Sequence, residues 1–129
     1  MQREELIKYV EETYSSSPEY LWANDPSAVF RHADNRKWFA VLMHIPKNKL
    51  VLGETGEVDV LNLKCDVIYA EGFGEGIYPA YHMSKTKWVS VDIEKADEEV
   101  LKMLLSVSFL ATGTNKKGGE NTKICIKTV

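Results

Sequence analysis

Residues 38–45, which read WFAVLMHI, decide how we expect this chain to fold. The alternate residues Phe39, Val41, Met43 and Ile45 are apolar, and so are most of the residues between them. A strand that is apolar on both faces is typical of the interior of a sheet, because other parts of the protein must cover each face. The run therefore predicts a central β-strand.

Shorter runs of the same kind lie on both sides of this strand. Residues 28–32 read AVFRH, residues 57–65 read EVDVLNLKC, and residues 88–93 read WVSVDI. Enrichment in β-branched and aromatic residues, with alternating apolar positions, predicts a strand in each run. In the second of them, Asn62 and Lys64 should share one face of the sheet with Val60.

The connections between these runs carry turn signals. Residues 33–35 predict a hairpin turn, and the glycine-bounded residues 53–56 predict a second one, with residues 50–52 as its first arm. We interpret residues 77–87 as irregular, since Pro79 prevents a helix through that point.

Three segments carry helix signals. Residues 2–14 predict an amphipathic first helix, because apolar residues recur there at helical spacing between glutamates. Asp66 suits the N-cap of a short helix, and Asp97 suits the N-cap of a last helix that stops near Gly113.

Strands in consecutive hairpin-sized steps, with helices before, between and after them, predict an α+β fold. The expected structure has two layers, with an antiparallel sheet and helices on one of its faces. Its order is helix, three or four strands, short helix, one or two strands, helix. Residues 1–112 form the predicted domain, and residues 113–129 form a C-terminal extension that is flexible or adds an edge strand.

Composition limits the classes of function. The chain has 129 residues, 44% of them hydrophobic, which is enough for one sizeable core. We expect a cytoplasmic protein with no membrane association, because no apolar run approaches the roughly 20 residues of a membrane helix. The net charge of −3 argues against tight nonspecific binding to nucleic acid, which normally requires a basic domain.

Cationic, amide and aromatic side chains nevertheless cluster in residues 30–38, 62–66 and 79–88. Arginine and lysine contact phosphates, asparagine reaches phosphates or base edges, and aromatic rings stack on unpaired bases. The candidate nucleic-acid-binding residues are Arg31, Asn35, Arg36, Lys37, Asn62, Lys64, His82, Lys85 and Lys87. Trp38, Tyr81 or Trp88 would supply the stacking surface.

The same residues also fit a structural interpretation, and the two can coexist. Trp38 and Trp88 would begin strands as core anchors, and a hydrogen-bonded network would fix the loop at residues 79–87. The members of that network would be Arg31, Asn62, Lys64 and His82.

Metal and thiol chemistry find little support in the sequence. His32, His44, His82, Cys65 and Asp66 show no HxxxH or CxxC spacing, so we predict no metal site and no cofactor. A thiol nucleophile would need Cys65 beside a base such as His82. Cys65 falls on the inward side of its strand, however, so we expect an inert buried thiol.

The runs AVFRH with NRKWFA, then VDVLNLKCD, then PAYHMSK with WVSV resemble the MmcQ/YjbR family over residues 1–112. The family commonly has asparagine in place of Ser84 and proline in place of Val67, differences that affect local caps. The resemblance implies a CyaY-like α+β domain, described for this family as a double-wing DNA-binding fold without an assigned enzymatic activity.

The resemblance therefore implies a non-enzymatic DNA-binding protein that uses the basic and aromatic surface. The alternative is a protein-interaction or chaperone-like adaptor module without affinity for nucleic acid, so that the expected partner is either DNA or a protein. A third class is a small-molecule binder or enzyme built around Cys65, Tyr81 and His82.

Overall fold

Five antiparallel strands form one sheet in this computed structural model, which describes residues 1–113. The strands are β1 (Ala28–Arg31), β2 (Trp38–Pro46), β3 (Glu57–Lys64), β4 (Ile77–Pro79) and β5 (Trp88–Asp92). Their spatial order is β1-β2-β3-β5-β4. The longest apolar run thus lies inside the sheet, as its sequence predicts.

The helices are α1 (Arg3–Tyr14), α2 (Val67–Glu71) and α3 (Glu98–Ala111), and a single 3₁₀ turn spans Lys47–Lys49. The predicted α+β class is confirmed, and the order is helix, three strands, short helix, two strands, helix. Asp66 and Asp97 cap α2 and α3 as predicted, each accepting backbone N–H bonds from the first turn. None of the helices within residues 1–113 is long and apolar enough to cross a membrane.

One face of the sheet packs against α1 and α3. Leu61 and Val91 from the sheet share a fully buried cluster with Leu6 of α1 and Leu104 of α3. Burial of one such side chain contributes about 1.5–3 kcal/mol to folding. We call this the helix face of the sheet.

The opposite face, which we call the open face, is covered by loops instead of helices. Strand register places Asn62 between Val41 on β2 and Ser90 on β5, so Asn62 points away from the helices. Val60 and Lys64 lie on the same face by alternation, as the sequence predicts.

A β-bulge at the start of β2 makes the observed alternation of side chains differ from the predicted one. Phe30 pairs with Ala40 but Arg31 pairs with Trp38, so Phe39 is an extra residue in the ladder. Simple alternation groups Phe39 with Val41 and Met43, whereas in the structure Phe39 packs into the helix-face core. The bulge leaves Trp38 on the open face.

Both outer edges of the sheet are blocked. Glu19 exchanges two backbone hydrogen bonds of 2.9 Å with Val29 of β1, and the Ser16 hydroxyl donates to the Arg31 carbonyl. At the other edge, β4 is only three residues long and ends in Pro79, which has no N–H to donate.

Two expectations about connections are wrong. Residues 50–52 form no strand, because the chain leaves β2 through the 3₁₀ turn and reaches β3 without pairing. Residues 77–87 are not wholly irregular, since Ile77–Pro79 pair with β5. Gly76 precedes that strand at a φ of +85°, and a Cβ there would lie 2.8 Å from the backbone N of Ala96. The predictions for residues 114–129 lie outside the described residues.

Candidate functional site

Strand termini bring most of the predicted site residues to one end of the sheet. β1 ends at Arg31, β2 begins at Trp38, β3 ends at Lys64 and β5 begins at Trp88. Neighbouring strands run antiparallel, so all four positions lie at the same end. We call this surface the basic end, defined by Arg31, Arg36, Lys37, Lys64, Lys85 and Lys87.

The two arginines of the basic end share one carboxylate. Arg31 Nε lies 3.3 Å from Glu19 Oε1, and Arg36 Nη2 lies 3.3 Å from Glu19 Oε2. The Arg31 guanidinium also lies 5.9 Å from the ring centroid of Trp38. Glu19 therefore offsets part of the positive charge that these arginines bring.

The lysines are less constrained. Within residues 1–113, no carboxylate forms an ion pair with Lys37, Lys64, Lys85 or Lys87. Lys37 and Lys87 are exposed and Lys64 is half-buried. The Lys85 ammonium donates to the Ala80 carbonyl at 2.8 Å. These are the cations at the sheet end that are best placed to meet an anionic ligand.

The two candidate asparagines serve the fold. Asn35 donates from Nδ2 to the Thr112 carbonyl at 2.8 Å, and its Oδ1 accepts the Lys37 N–H at 2.8 Å. Asn62 is 0% exposed. With its side chain buried, Asn62 could contact nucleic acid only after a local rearrangement, so this contact stays a prediction.

A smaller network than the predicted one fixes the loop before β5. Asn62 Nδ2 donates to the Tyr81 carbonyl at 2.9 Å, and Ser90 Oγ donates to Asn62 Oδ1 at 2.5 Å. The Tyr81 N–H closes the circuit by donating to Ser90 Oγ at 2.9 Å. Arg31 pairs with Glu19 instead, and the His82 ring lies 3.8 Å from the Tyr81 ring.

Left-handed backbone conformations lie around the same surface. Arg36 and His82 have φ near +62° and +63°, and Asn24 has φ +59°. Such a conformation costs a residue with a Cβ roughly 1–2 kcal/mol, so it persists where surrounding contacts impose it. Arg36 and His82 thus each lie at a turn whose backbone conformation depends on the contacts around it.

A pocket of about 230 Å³ lies on the open face beside the basic end. Two tryptophans form part of its wall, with Trp22 and Trp38 rings 6.0 Å apart and nearly perpendicular at 89°. The lining residues are Trp22, Asp25, Ser27, Trp38, Val41, Met43, Asn62, His82 and Met83. We call it the aromatic pocket. Sequence reasoning missed it, although the aromatic run Tyr20-Leu21-Trp22 before a turn was the available signal.

Neither cysteine nor metal chemistry is favoured by this geometry. Cys65 is buried as predicted, and burial together with the nearby Asp66 charge raises the pKa of its thiol to about 11, which disfavours the reactive thiolate. His44 contacts Asp59 at 3.0 Å and Glu57 at 3.3 Å, so it is a satisfied histidine. Among residues 1–113, no three His, Cys, Asp or Glu side chains are grouped to hold a metal ion.

The YjbR family model matches residues 4–111. The chain belongs to the YjbR family. The match covers all five strands, α2, α3 and all of α1 except its first residue, Arg3. The resemblance read from the sequence is thereby confirmed.

The chain is similar to other proteins in sequence, in structure or in both. The uncharacterized protein YyaQ of Bacillus subtilis (strain 168) is 42% identical over 100 residues, covering 75% of this chain and 85% of that protein. A crystal structure of a Pseudomonas syringae protein has a TM-score of 0.80 at 37% identity, covering 88% of this chain and 100% of that one. A Deinococcus radiodurans protein shares the fold at 22% identity, with a TM-score of 0.63 over 93% of this chain and 86% of its own.

Proposed function

We propose that this YjbR-family protein is a non-enzymatic DNA-binding protein that contacts phosphates through its basic end. The supporting observation is the convergence of Lys37, Lys64, Lys85 and Lys87, which have no carboxylate partner within residues 1–113. Lysine ammonium groups act as point charges on the phosphate backbone, which needs no fixed base sequence. The CyaY-like, double-wing arrangement that the family resemblance implies belongs to the same proposal.

Arg31 and Arg36 would contribute to DNA binding by exchanging the Glu19 carboxylate for a phosphate. A phosphate that replaced the Glu19 carboxylate would receive bonds from Arg31 and Arg36 together, since both already reach one anion. Trp38 and Trp88 begin their strands beside these cations and offer aromatic surface for an unpaired base. Binding should be modest and steeply dependent on salt, because the whole chain has a net charge of −3.

The test compares two lysine pairs at opposite ends of the sheet. Lys37→Gln with Lys87→Gln removes two charges from the basic end. Lys47→Gln with Lys49→Gln removes two exposed charges beyond the far end of β2. Fluorescence anisotropy with labelled duplex and single-stranded DNA at 50 and 200 mM salt gives the affinity and its salt slope.

We expect the basic-end pair to weaken binding and to lower the salt slope by about 2, close to one unit for each lost phosphate contact. The control pair should bind as the unaltered protein does. Absence of binding at 50 mM salt, or equal losses in both pairs, would remove the proposal. Glu19→Gln should tighten binding, because it frees both arginines without adding bulk.

A second candidate function rests on a different surface. Tyr20, Leu21 and Trp22 are consecutive and 57%, 43% and 43% exposed. Contiguous exposed apolar groups of this kind favour a protein-binding adaptor. Such an interface would tolerate salt and depend on Trp22 instead of the lysines, so the lysine pairs distinguish the two functions.

A further inference from the structure

The aromatic pocket lies beside the basic end but has different chemistry. None of its lining residues is a lysine or arginine, and its wall is mainly aromatic and apolar. Trp22 is 43% exposed, so part of a large apolar ring faces solvent at this site. Of the residues that line the pocket, the DNA-binding proposal uses Trp38 alone, as a surface for stacking.

Its walls present aromatic surface from two directions. The Trp22 and Trp38 rings meet at 89°, which makes a corner instead of a flat slot between parallel rings. Tryptophan faces attract cations more strongly than the other aromatic side chains do, and methylated ammonium ions are typically held by several rings around one centre. A parallel slot would suit a planar base better than this corner does.

The carboxylate of Asp25 supplies a negative charge to the pocket. Asp25 is its only acidic lining residue, and it makes no ion pair within residues 1–113. Hydrogen bonds from the Ser27 hydroxyl and N–H hold the pKa of the Asp25 carboxyl below its ordinary value, so the group stays ionised near neutral pH. His82 is the other titratable group in the described lining. An anionic ligand would therefore meet like charge here.

One cation of the fold already lies near a pocket ring. The Arg31 guanidinium lies 5.9 Å from the Trp38 centroid, but Glu19 sits 3.3 Å from its Nε and offsets its charge. Arg31 does not line the pocket, and within residues 1–113 no cation–π contact involves Trp22.

Size and polarity narrow the class of ligand. A pocket of about 230 Å³ lies below the roughly 300–1,000 Å³ typical of drug-sized ligands, so it fits a few heavy atoms around one charge. A primary ammonium needs three hydrogen-bond acceptors. The Asn62 amide already forms hydrogen bonds with Tyr81 and Ser90, so Asp25 is the main acceptor that remains for a ligand. Val41, Met43 and Met83 instead offer apolar contact to methyl groups.

We infer that the aromatic pocket binds a small molecule carrying a methylated ammonium group, with Trp22 and Trp38 around the cation and Asp25 as its counter-charge. This inference does not depend on DNA binding, because it uses none of the lysines of the basic end. Its consequence is a second ligand site on a chain whose family resemblance implies DNA alone.

The test uses choline and two compounds that share its shape. In 3,3-dimethylbutan-1-ol a carbon replaces the charged nitrogen, and in 3,3-dimethylbutanoate the same tert-butyl group carries a carboxylate. Isothermal titration calorimetry and tryptophan fluorescence report binding to the full chain. We expect choline to bind at least tenfold more tightly than the neutral isostere, and the anion to bind more weakly still.

Variants assign that preference to residues. Asp25→Asn keeps an oxygen for the Ser27 N–H but removes the charge, so it should reduce the preference for choline and leave the neutral compound unchanged. Trp22→Leu should weaken choline binding at least tenfold. Tyr20→Leu is the matched control, because Tyr20 is 57% exposed and does not line the pocket. Far-UV circular dichroism checks that each variant is folded.

Three results would overturn the inference. The first is equal binding of choline and its neutral isostere, and the second is no binding of choline at 10 mM. The third is tighter binding of adenosine, which carries a neutral planar base, than of choline. The last would assign the pocket to a stacked base instead.

Discussion

The two faces of the central sheet belong to the same strands but differ in their side chains and in what covers them. On the helix face, Leu61 and Val91 are fully buried beneath α1 and α3. On the open face, Asn62 and Ser90 are just as buried, yet they are polar and lie beneath a loop. Helices provide a continuous apolar cover, whereas a loop must be fixed by hydrogen bonds from the sheet.

This difference assigns separate roles to the faces. The helix face supplies most of the apolar burial, and the open face holds the aromatic pocket. A loop cover anchored at a few points leaves gaps between anchors, and such gaps are where ligands bind. We therefore expect substitutions on the helix face to act on stability, and those on the open face to act mainly on loop position.

Adjacent residues on β3 provide the largest expected contrast. Leu61→Ala on the helix face should lower the free energy of unfolding by about 2–5 kcal/mol, since the rigid helices cannot close the cavity. Val60→Ala on the open face should cost roughly 1 kcal/mol, because the loop can settle into the space. Urea denaturation measures both.

Val91→Ala is the size-matched control on the helix face, since Val60 and Val91 are both 0% exposed. It should be more costly than Val60→Ala. Equal losses of unfolding free energy would show that the helices and the loop are equally rigid, which would contradict the proposed difference between the two faces.

The loop network gives the second contrast. Asn62→Ala should cost about 1–3 kcal/mol, because it leaves the buried Ser90 hydroxyl and the Tyr81 carbonyl without their partner. Hydrogen exchange should become faster at the Tyr81 amide while the amides of α3 stay protected. A double-mutant cycle with Ser90→Ala should reveal positive coupling, and independent effects would mean that the network does not fix the loop.

A smaller effect should appear with pH. His32 is buried against Phe109 and bonded to Thr112, and its burial lowers its pKa from the ordinary 6.5. The folded state therefore resists protonation, so stability is full above pH 6.5 and falls as the pH drops through the lower pKa of the folded protein.

Urea denaturation between pH 5 and 8 measures this dependence. His32→Gln should flatten the stability profile in that range, because glutamine keeps a polar side chain at this position but does not titrate. An unaltered profile in His32→Gln would assign the pH dependence to other groups.

Local patterns predicted the fold well. Alternation in residues 57–64 placed Val60, Asn62 and Lys64 on one face, and the carboxylates of Asp66 and Asp97 marked the starts of two helices. These features depend on residues close in sequence, where periodicity and capping chemistry act. The expectation of one helix-covered face followed from the same patterns.

The candidate site was harder to predict because its contacts are long-range. Glu19 reaches Arg31 and Arg36 only because its backbone pairs with Val29 across the sheet edge. Asn35 is held by the end of α3, 77 residues further along the chain. Residue type suggested ligand contacts for both asparagines, and only the folded arrangement shows that their amides are already engaged.

The blocked edges of the sheet limit how any partner can approach. Glu19 occupies the outer backbone groups of Val29, and β4 ends in a residue without an N–H. Within residues 1–113, strand addition, by which many proteins recruit peptides or assemble into fibrils, is therefore disfavoured at both edges. We therefore expect residues 1–113 to recognise a partner mainly through side chains, at the ends of the strands or in the recess between Trp22 and Trp38.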